Sequence, residues 1–167
     1  MKEVSLRAME PEDLDLLYRI ENDIELWNVG NTNVPYSRYA LHDYIANASG
    51  DIYTDKQLRL MIENGDEETV GIVDIIDFNP QHMRAEIGIV IQRIHRCQGY
   101  AHAALVKLIS YCQRILHLHQ IYAVVDQSNQ ESVSLFGSMG FHRAAELSEW
   151  LYDGKKYHTA VIMQRFL

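Results

Sequence analysis

The sequence predicts an α/β fold, a mostly antiparallel twisted sheet with helices on both faces, as a single domain over residues 1–167. Hairpin signals in the middle of the chain, a strongly amphipathic helix after them, and a short, nearly all-apolar strand after the helix carry that expectation. A length of 167 residues fits one domain of ordinary size, and 47% apolar against 23% charged residues is the composition of a chain that folds around a core.

Val4, Leu6 and Ala8 alternate with polar neighbours as a half-buried strand does, and Pro11 follows at a first helical position with Glu12 and Asp13 in the first turn. Leu14, Leu17, Tyr18 and Glu21 continue at helical spacing. Residues 22–36, with Asn22, Asn28, Gly30, Asn31, Asn33 and Pro35, read as a loop with helical fragments. Ser37 is placed to cap a second helix whose Ala40, Leu41, Tyr44 and Ile45 share a face. From residue 57 to 91 the period changes to that of strands. Leu58, Leu60 and Ile62 lead into the hairpin turn Asn64-Gly65-Asp66, and residues 70–78 return. Asn79-Pro80-Gln81-His82 is turn chemistry, and residues 83–91 form the next strand, with Ala85, Ile87, Ile89 and Ile91 on one side. Beyond Gly99, the apolar face Ala104, Leu105, Leu108, Ile109, Cys112, Ile115 and Leu116 marks the amphipathic helix. Ile121-Tyr122-Ala123-Val124-Val125 is apolar enough for a central strand covered on both faces. Residues 129–139 read as a helix stopped by Gly140, and residues 141–166 as a closing hairpin around Asp153-Gly154.

The formal charge of −8, from 23 acidic and 15 basic residues, argues against nucleic acid and favours a cationic partner. No apolar run approaches the ~18 residues that span a bilayer, and the start lacks a signal-peptide pattern, so the expectation is a cytoplasmic protein with no membrane contact. Cys97 and Cys112 are too few for a disulfide scaffold and read as reduced thiols. His117-x-His119 has no third ligand in sequence reach, so no metal is expected.

The stretch Gln92-Arg93-Ile94-His95-Arg96-Cys97-Gln98-Gly99-Tyr100-Ala101 lies between a strand and the strongest helix. Unpaired N–H groups and the dipole of a helix start favour an anion there, and Gly99 lets the backbone approach it. Arg93 and Arg96 place two positive charges on an otherwise acidic chain, which fits either a phosphate site or a solvated pair. The glycine patterns of nucleoside-triphosphate and dinucleotide loops are absent. Arg96-Cys97-Gln98-Gly99-Tyr100-Ala101 resembles the Q/R-x-x-G-x-G/A pyrophosphate loop of the GCN5-related N-acetyltransferases (GNAT). Asn129-Gln130-Glu131-Ser132 followed by Phe136-Gly137-Ser138-Met139-Gly140-Phe141 resembles that family's second motif. Arg84-Ala85-Glu86 and residues 150–157 look most like the bacterial spermidine N-acetyltransferase branch and its ribosomal-protein acetyltransferase relatives.

The resemblance implies the GNAT fold, with acetyl-CoA as co-substrate along a splayed strand. It places the backbone of Ile89, Val90 and Ile91 against the pantetheine arm, residues Arg96, Cys97, Gln98, Gly99, Tyr100, Ala101 and His102 around the pyrophosphate, and Asn129, Ser132 and Phe136 on the cofactor's other side. The implied reaction moves an acetyl group to a primary amine, of a polyamine such as spermidine or of a protein amino terminus, and relatives often pair into homo-oligomers through sheet edges. A lysine-like amine has a pKa near ~10.4 and must lose a proton before attack. Glu86 is the candidate base, or else an ordinary strand carboxylate. Glu21, Asp23 and Glu25 are either an acidic groove for a polycation or a solvated helix face. Trp27, Tyr36 and Tyr39 supply flat surface in the same segment or anchor it to the core. The family's usual tyrosine acid is Phe136 here, which has no proton to give. Ser134, Tyr122 or water then serves as donor, or the acid is dispensable, or the chain is an acetyl-CoA-binding regulatory or structural module with weak turnover.

Overall fold

The computed structural model describes residues 2–27 and 34–167. The readings at Asn28, Gly30, Asn31 and Asn33, and those of the Glu25 and Trp27 side chains, lie outside the described residues. Strand β1 (Val4–Arg7) leads through a 3₁₀ turn (Pro11–Asp13) into α1 (Leu14–Glu21), short α2 (Ile24–Trp27), α3 (Arg38–Ala46) and short α4 (Ile52–Asp55). Then come β2 (Leu58–Asn64), β3 (Thr69–Asn79), β4 (Arg84–Ile91), α5 (Tyr100–Arg114), β5 (Gln120–Asp126), α6 (Gln130–Ser138), β6 (His142–Tyr152) and β7 (Tyr157–Phe166). The strands form one sheet in the order β1-β2-β3-β4-β5-β7-β6, antiparallel except at β4–β5.

Local chemistry explains most boundaries. Ser37 caps α3 by accepting the Ala40 N–H at 3.0 Å, although Ala40 itself is exposed and Leu41 alone is fully buried there. Helix α4, absent from the sequence reading, is a single turn capped by Asp51, which accepts the Tyr53 N–H at 3.0 Å. Helix α5 stops at Arg114. Ile115 is 63% exposed, whereas Leu116 and Leu118 fold back into the core as Leu118 N–H bonds the Cys112 carbonyl. Strand β5 is buried on alternate residues, Ile121, Ala123 and Val125, and only half-covered on its other face, so it is not the doubly covered strand expected from its composition.

Each face of the sheet has its own core. Leu16 and Leu17 of α1 and Leu41 of α3 pack on Met61 and Ile72. On the opposite face Leu105, Leu108, Ile109 and Cys112 of α5, with Phe136 of α6, pack against strand residues including Val73, Ile75, Ile87 and Ile121. Burying such aliphatic side chains contributes ~1.5–3 kcal/mol each, and Arg7 binds the buried Asp13 through two hydrogen bonds at 2.8 and 3.0 Å, fixing the start of α1 to β1. Among the described residues no helix is long and apolar enough to cross a membrane.

The feature that shapes the molecule is where β4 and β5 part. Their parallel register runs Arg84↔Gln120, Ala85↔Ile121 and Glu86↔Tyr122. Beyond that rung β4 stays with β3 as far as Ile91↔Gly71, while β5 stays with β7 as far as Asp126↔Ala160, and a cleft opens between them. Gly71 holds the β3 side of this arrangement. A β-carbon there would lie 2.3 Å from the Val90 carbonyl oxygen, on the backbone of the diverging strand. Gly71→Ala is expected to cost about 1–3 kcal/mol and lower the midpoint of thermal unfolding by roughly 2–10 °C, read by calorimetry; an unchanged midpoint would show that β4 moves freely.

Candidate active site

The loop after β4 is tied down at its base and open at its tip. Gln92 N–H bonds the Val70 carbonyl at 2.9 Å and its side-chain amide bonds the Thr69 carbonyl at 2.5 Å. His95 is turned inward, its side chain largely covered. Its Nε2 lies 3.2 Å from Glu68 Oε1 without the alignment of a hydrogen bond, and its ring meets Tyr100 edge-on at 6.0 Å. Arg96 Nε bonds the Ile91 carbonyl at 3.1 Å, while Arg96, Cys97, Gln98 and Gly99 are exposed. Gly99 is the N-cap of α5 with φ of +88°, a conformation that suits glycine, and no side chain caps the helix start. The N–H groups of Tyr100, Ala101 and His102 are thus the donors an anion meets. Cys97 also takes a left-handed φ of +57° in this exposed tip. Arg93 is not a freely solvated cation: its Nη2 lies 3.8 Å from Asp23 Oδ2.

The α1–α3 face of the sheet beside the cleft is acidic. Glu86 and Tyr122 form the last β4–β5 rung, and a bulge in β3 brings in Asp77, whose carboxylate accepts the Tyr122 O–H at 2.9 Å. Burial, with the charge of Asp77 behind it, raises the Glu86 carboxyl above the ordinary carboxylate range. Burial and the hydrogen bond to Asp77 push the Tyr122 phenol well above its ordinary value, which makes it a poorer proton donor. Gly88, two residues along from Glu86 on the same side, lies opposite Asp74, where a β-carbon would make only an ordinary contact at 3.9 Å from Asp74 Cβ. Behind it Arg59 binds Asp74 at 2.7 and 2.9 Å and also Glu21, so Glu21 is a half-buried ion-pair partner of β2 rather than a solvated helix-face carboxylate. Tyr36 and Tyr39 are 39% and 76% exposed, so they do not anchor their segment to the core.

On the other side of the cleft, Asn129 caps α6 by accepting the Ser132 N–H at 3.1 Å. Phe136 is buried, edge-on to Phe141 at 5.1 Å between ring centres. Ser134 is exposed and lies about 200° around the helix from Phe136, so it does not stand in for the missing hydroxyl. Ile89 and Val90 are half-covered and Ile91 is buried; their backbone lines the β4 edge of the cleft. Sequence reasoning missed Asp77, because its placement depends on a bulge in β3. It also missed the Arg59–Asp74–Glu21 cluster, which joins residues 15 and 38 positions apart in sequence.

The exposed, uncapped helix start and the open β4 edge fit the pyrophosphate and the extended amide arm of acetyl-CoA. Comparison with known proteins agrees. A model of the acetyltransferase (GNAT) domain matches residues 3–142. The spermidine N(1)-acetyltransferase of Escherichia coli strain K12 is 26% identical over 164 residues, 96% of this chain and 84% of that protein. The Vibrio cholerae spermidine N-acetyltransferase in complex with CoA and spermine superposes with a TM-score of 0.87 at 26% identity, over 98% of this chain and 95% of that one. A dodecameric structure of spermidine N-acetyltransferase from Vibrio cholerae gives a TM-score of 0.79 at 26% identity, over 98% of this chain and 93% of that one. The chain belongs to the GNAT family. It is an acetyl-CoA-dependent N-acetyltransferase that acetylates an amine.

Phe136 bears directly on that activity. General acid catalysis supplies ~10²–10⁴-fold where it operates; Ser134 points away from the Phe136 position, and the Tyr122 hydroxyl donates to Asp77. Phe136→Tyr is expected to raise kcat by roughly tenfold or more in a continuous assay of CoA release; an equal or lower rate would show that the acid is dispensable in this chain.

Proposed function

We propose that this chain acetylates a primary amine of a polyamine such as spermidine, in the cytoplasm, with Glu86 as the base. The observation that carries the reading is the placement of half-buried Glu86 at the last rung before the cleft, beside the exposed carboxylate of Asp77. Acetyl-CoA supplies an activated acyl group. The residues around it perform four tasks. The helix start at 99–102, with Arg96, holds the pyrophosphate, and the backbone of Ile89, Val90 and Ile91 pairs with the pantetheine amides as a neighbouring strand does. Asn129 and Ser132 close the other side. Asp77 and Glu86 attract the substrate ammonium, and Glu86 then accepts its proton, directly or through one water, so that the neutral amine attacks. The departing thiolate is protonated by water, since a thiol near pKa ~8.5 leaves without a strong acid.

The similarity to spermidine acetyltransferases favours a polyamine over a protein amino terminus, and the charge of −8 suits a polycation. The dodecameric relative supports a homo-oligomer; β6, with all but two of its residues exposed, is the outer strand of the sheet.

A base acts only when deprotonated. Because burial and Asp77 raise the Glu86 carboxyl, kcat/KM with spermidine should climb with pH through a limb that lies above the ordinary carboxylate value of ~4.3. Glu86→Gln is expected to lower kcat/KM by about 10²-fold and to abolish that limb, with acetyl-CoA binding by calorimetry unchanged. A variant that keeps both rate and limb would remove Glu86 from the mechanism.

A further inference from the structure

The closing hairpin carries an arrangement that acetyl transfer leaves unused. His158, on β7, places Nε2 2.6 Å from Asp153 Oδ2 and Nδ1 3.4 Å from Asp126 Oδ2, with its side chain only 18% exposed. Asp153 lies in the turn between β6 and β7, where Oδ1 accepts the N–H groups of Lys155 and Lys156 at 2.8 and 2.9 Å. Asp126 ends β5, and its Oδ1 accepts from the N–H and hydroxyl of Ser128 at 2.8 and 2.7 Å, in the turn that leads to the Asn129 cap. One imidazole therefore joins the hairpin turn, the free end of β5 and the turn into α6.

A neutral imidazole has one N–H and one lone pair, so between two carboxylates one of its nitrogens faces an oxygen lone pair. Only the imidazolium donates on both sides. The ring sits beside the bond from Gln127 N–H to the Thr159 carbonyl, at the end of the β5–β7 ladder. The register Tyr122↔Gln164, Val124↔Ile162 and Asp126↔Ala160 puts His158 on the same sheet face as Glu86, toward the open end of the cleft. Asp126 faces the ring from β5 and Asp153 from the turn; β6 places Leu151 opposite it, and the two lysines reach Asp153 through backbone amides. The amide of Lys156, then His158 and the amide of Lys155, hold Asp153 well below the usual carboxylate range, so it stays charged throughout an assay.

We propose that His158 is a positioning residue for the acceptor side of the site: by bridging Asp153 and Asp126 it pins the hairpin tip, residues 150–157, to β5, and breaking that bridge frees the tip and weakens acceptor binding without slowing acetyl transfer. The kinetic consequence rests on the polyamine reading; the structural one does not. The test is hydrogen exchange at the amides of the tip, corrected for intrinsic rates, together with spermidine kinetics, in the unmodified protein and three variants. Relative to the unmodified protein, His158→Gln should lower protection of the tip about tenfold more than that of the β7 centre and raise KM for spermidine, with kcat nearly constant. Asp153→Asn should act in the same direction. His158→Arg, which keeps donors for both carboxylates, should retain high protection and a low KM. Equal tip protection in all four proteins, or the same loss with Gln and Arg at 158, overturns the proposal. The expected exchange pattern without turnover of spermidine supports the pin and contradicts the acceptor reading alone.

Discussion

Everything functional here depends on two neighbouring strands that stay together for three rungs and then separate. The Glu86↔Tyr122 rung is the hinge of that divergence. Strand β4 is held to β3 by the Gly71–Val90 close approach, and β5 is held to β7 along its whole length. The two cores enforce the split: α1 and α3 press on β2 and β3 from one face, while α5 and α6 cover the other. A backbone edge left open in the middle of a sheet is costly unless something pairs with it, and an extended ligand with amides does so.

Electrostatics then divides the cleft. Uncapped backbone N–H groups mark the α5 start, and the carboxylates of Asp77 and Glu86 gather at the last β4–β5 rung. Side-chain cations contribute less to the anion end than their number implies, because Arg93 reaches toward Asp23 and Arg96 is engaged with the Ile91 carbonyl. The uncapped helix start is therefore the main fixed positive feature of this loop.

The hairpins, the α5 helix and the Ser37 and Asn129 caps were legible because each rests on residues within a few positions of one another. The helix start after Gly99 was legible for the same reason. What local pattern did not carry is long-range: Asp77 delivered by a bulge, Glu21 drawn to Arg59 across the sheet, and His158 caught between carboxylates from two elements. Composition also misled at β5, whose apolar run predicts burial on both faces although one face looks into the acidic half of the cleft. Helical phase, in turn, decides between Ser134 and Phe136 more firmly than proximity in sequence does.

The central claim is that the gap between β4 and β5 is a strand-shaped site for the co-substrate. A crystal structure of the protein with CoA bound tests it most directly. The account predicts pantetheine amides hydrogen-bonded to the backbone of residues 89–91, the pyrophosphate on the N–H groups of residues 99–102, and the sulfur beside the Glu86–Tyr122 rung. CoA bound away from this edge, or a cleft closed by further β4–β5 pairing in its presence, would contradict it.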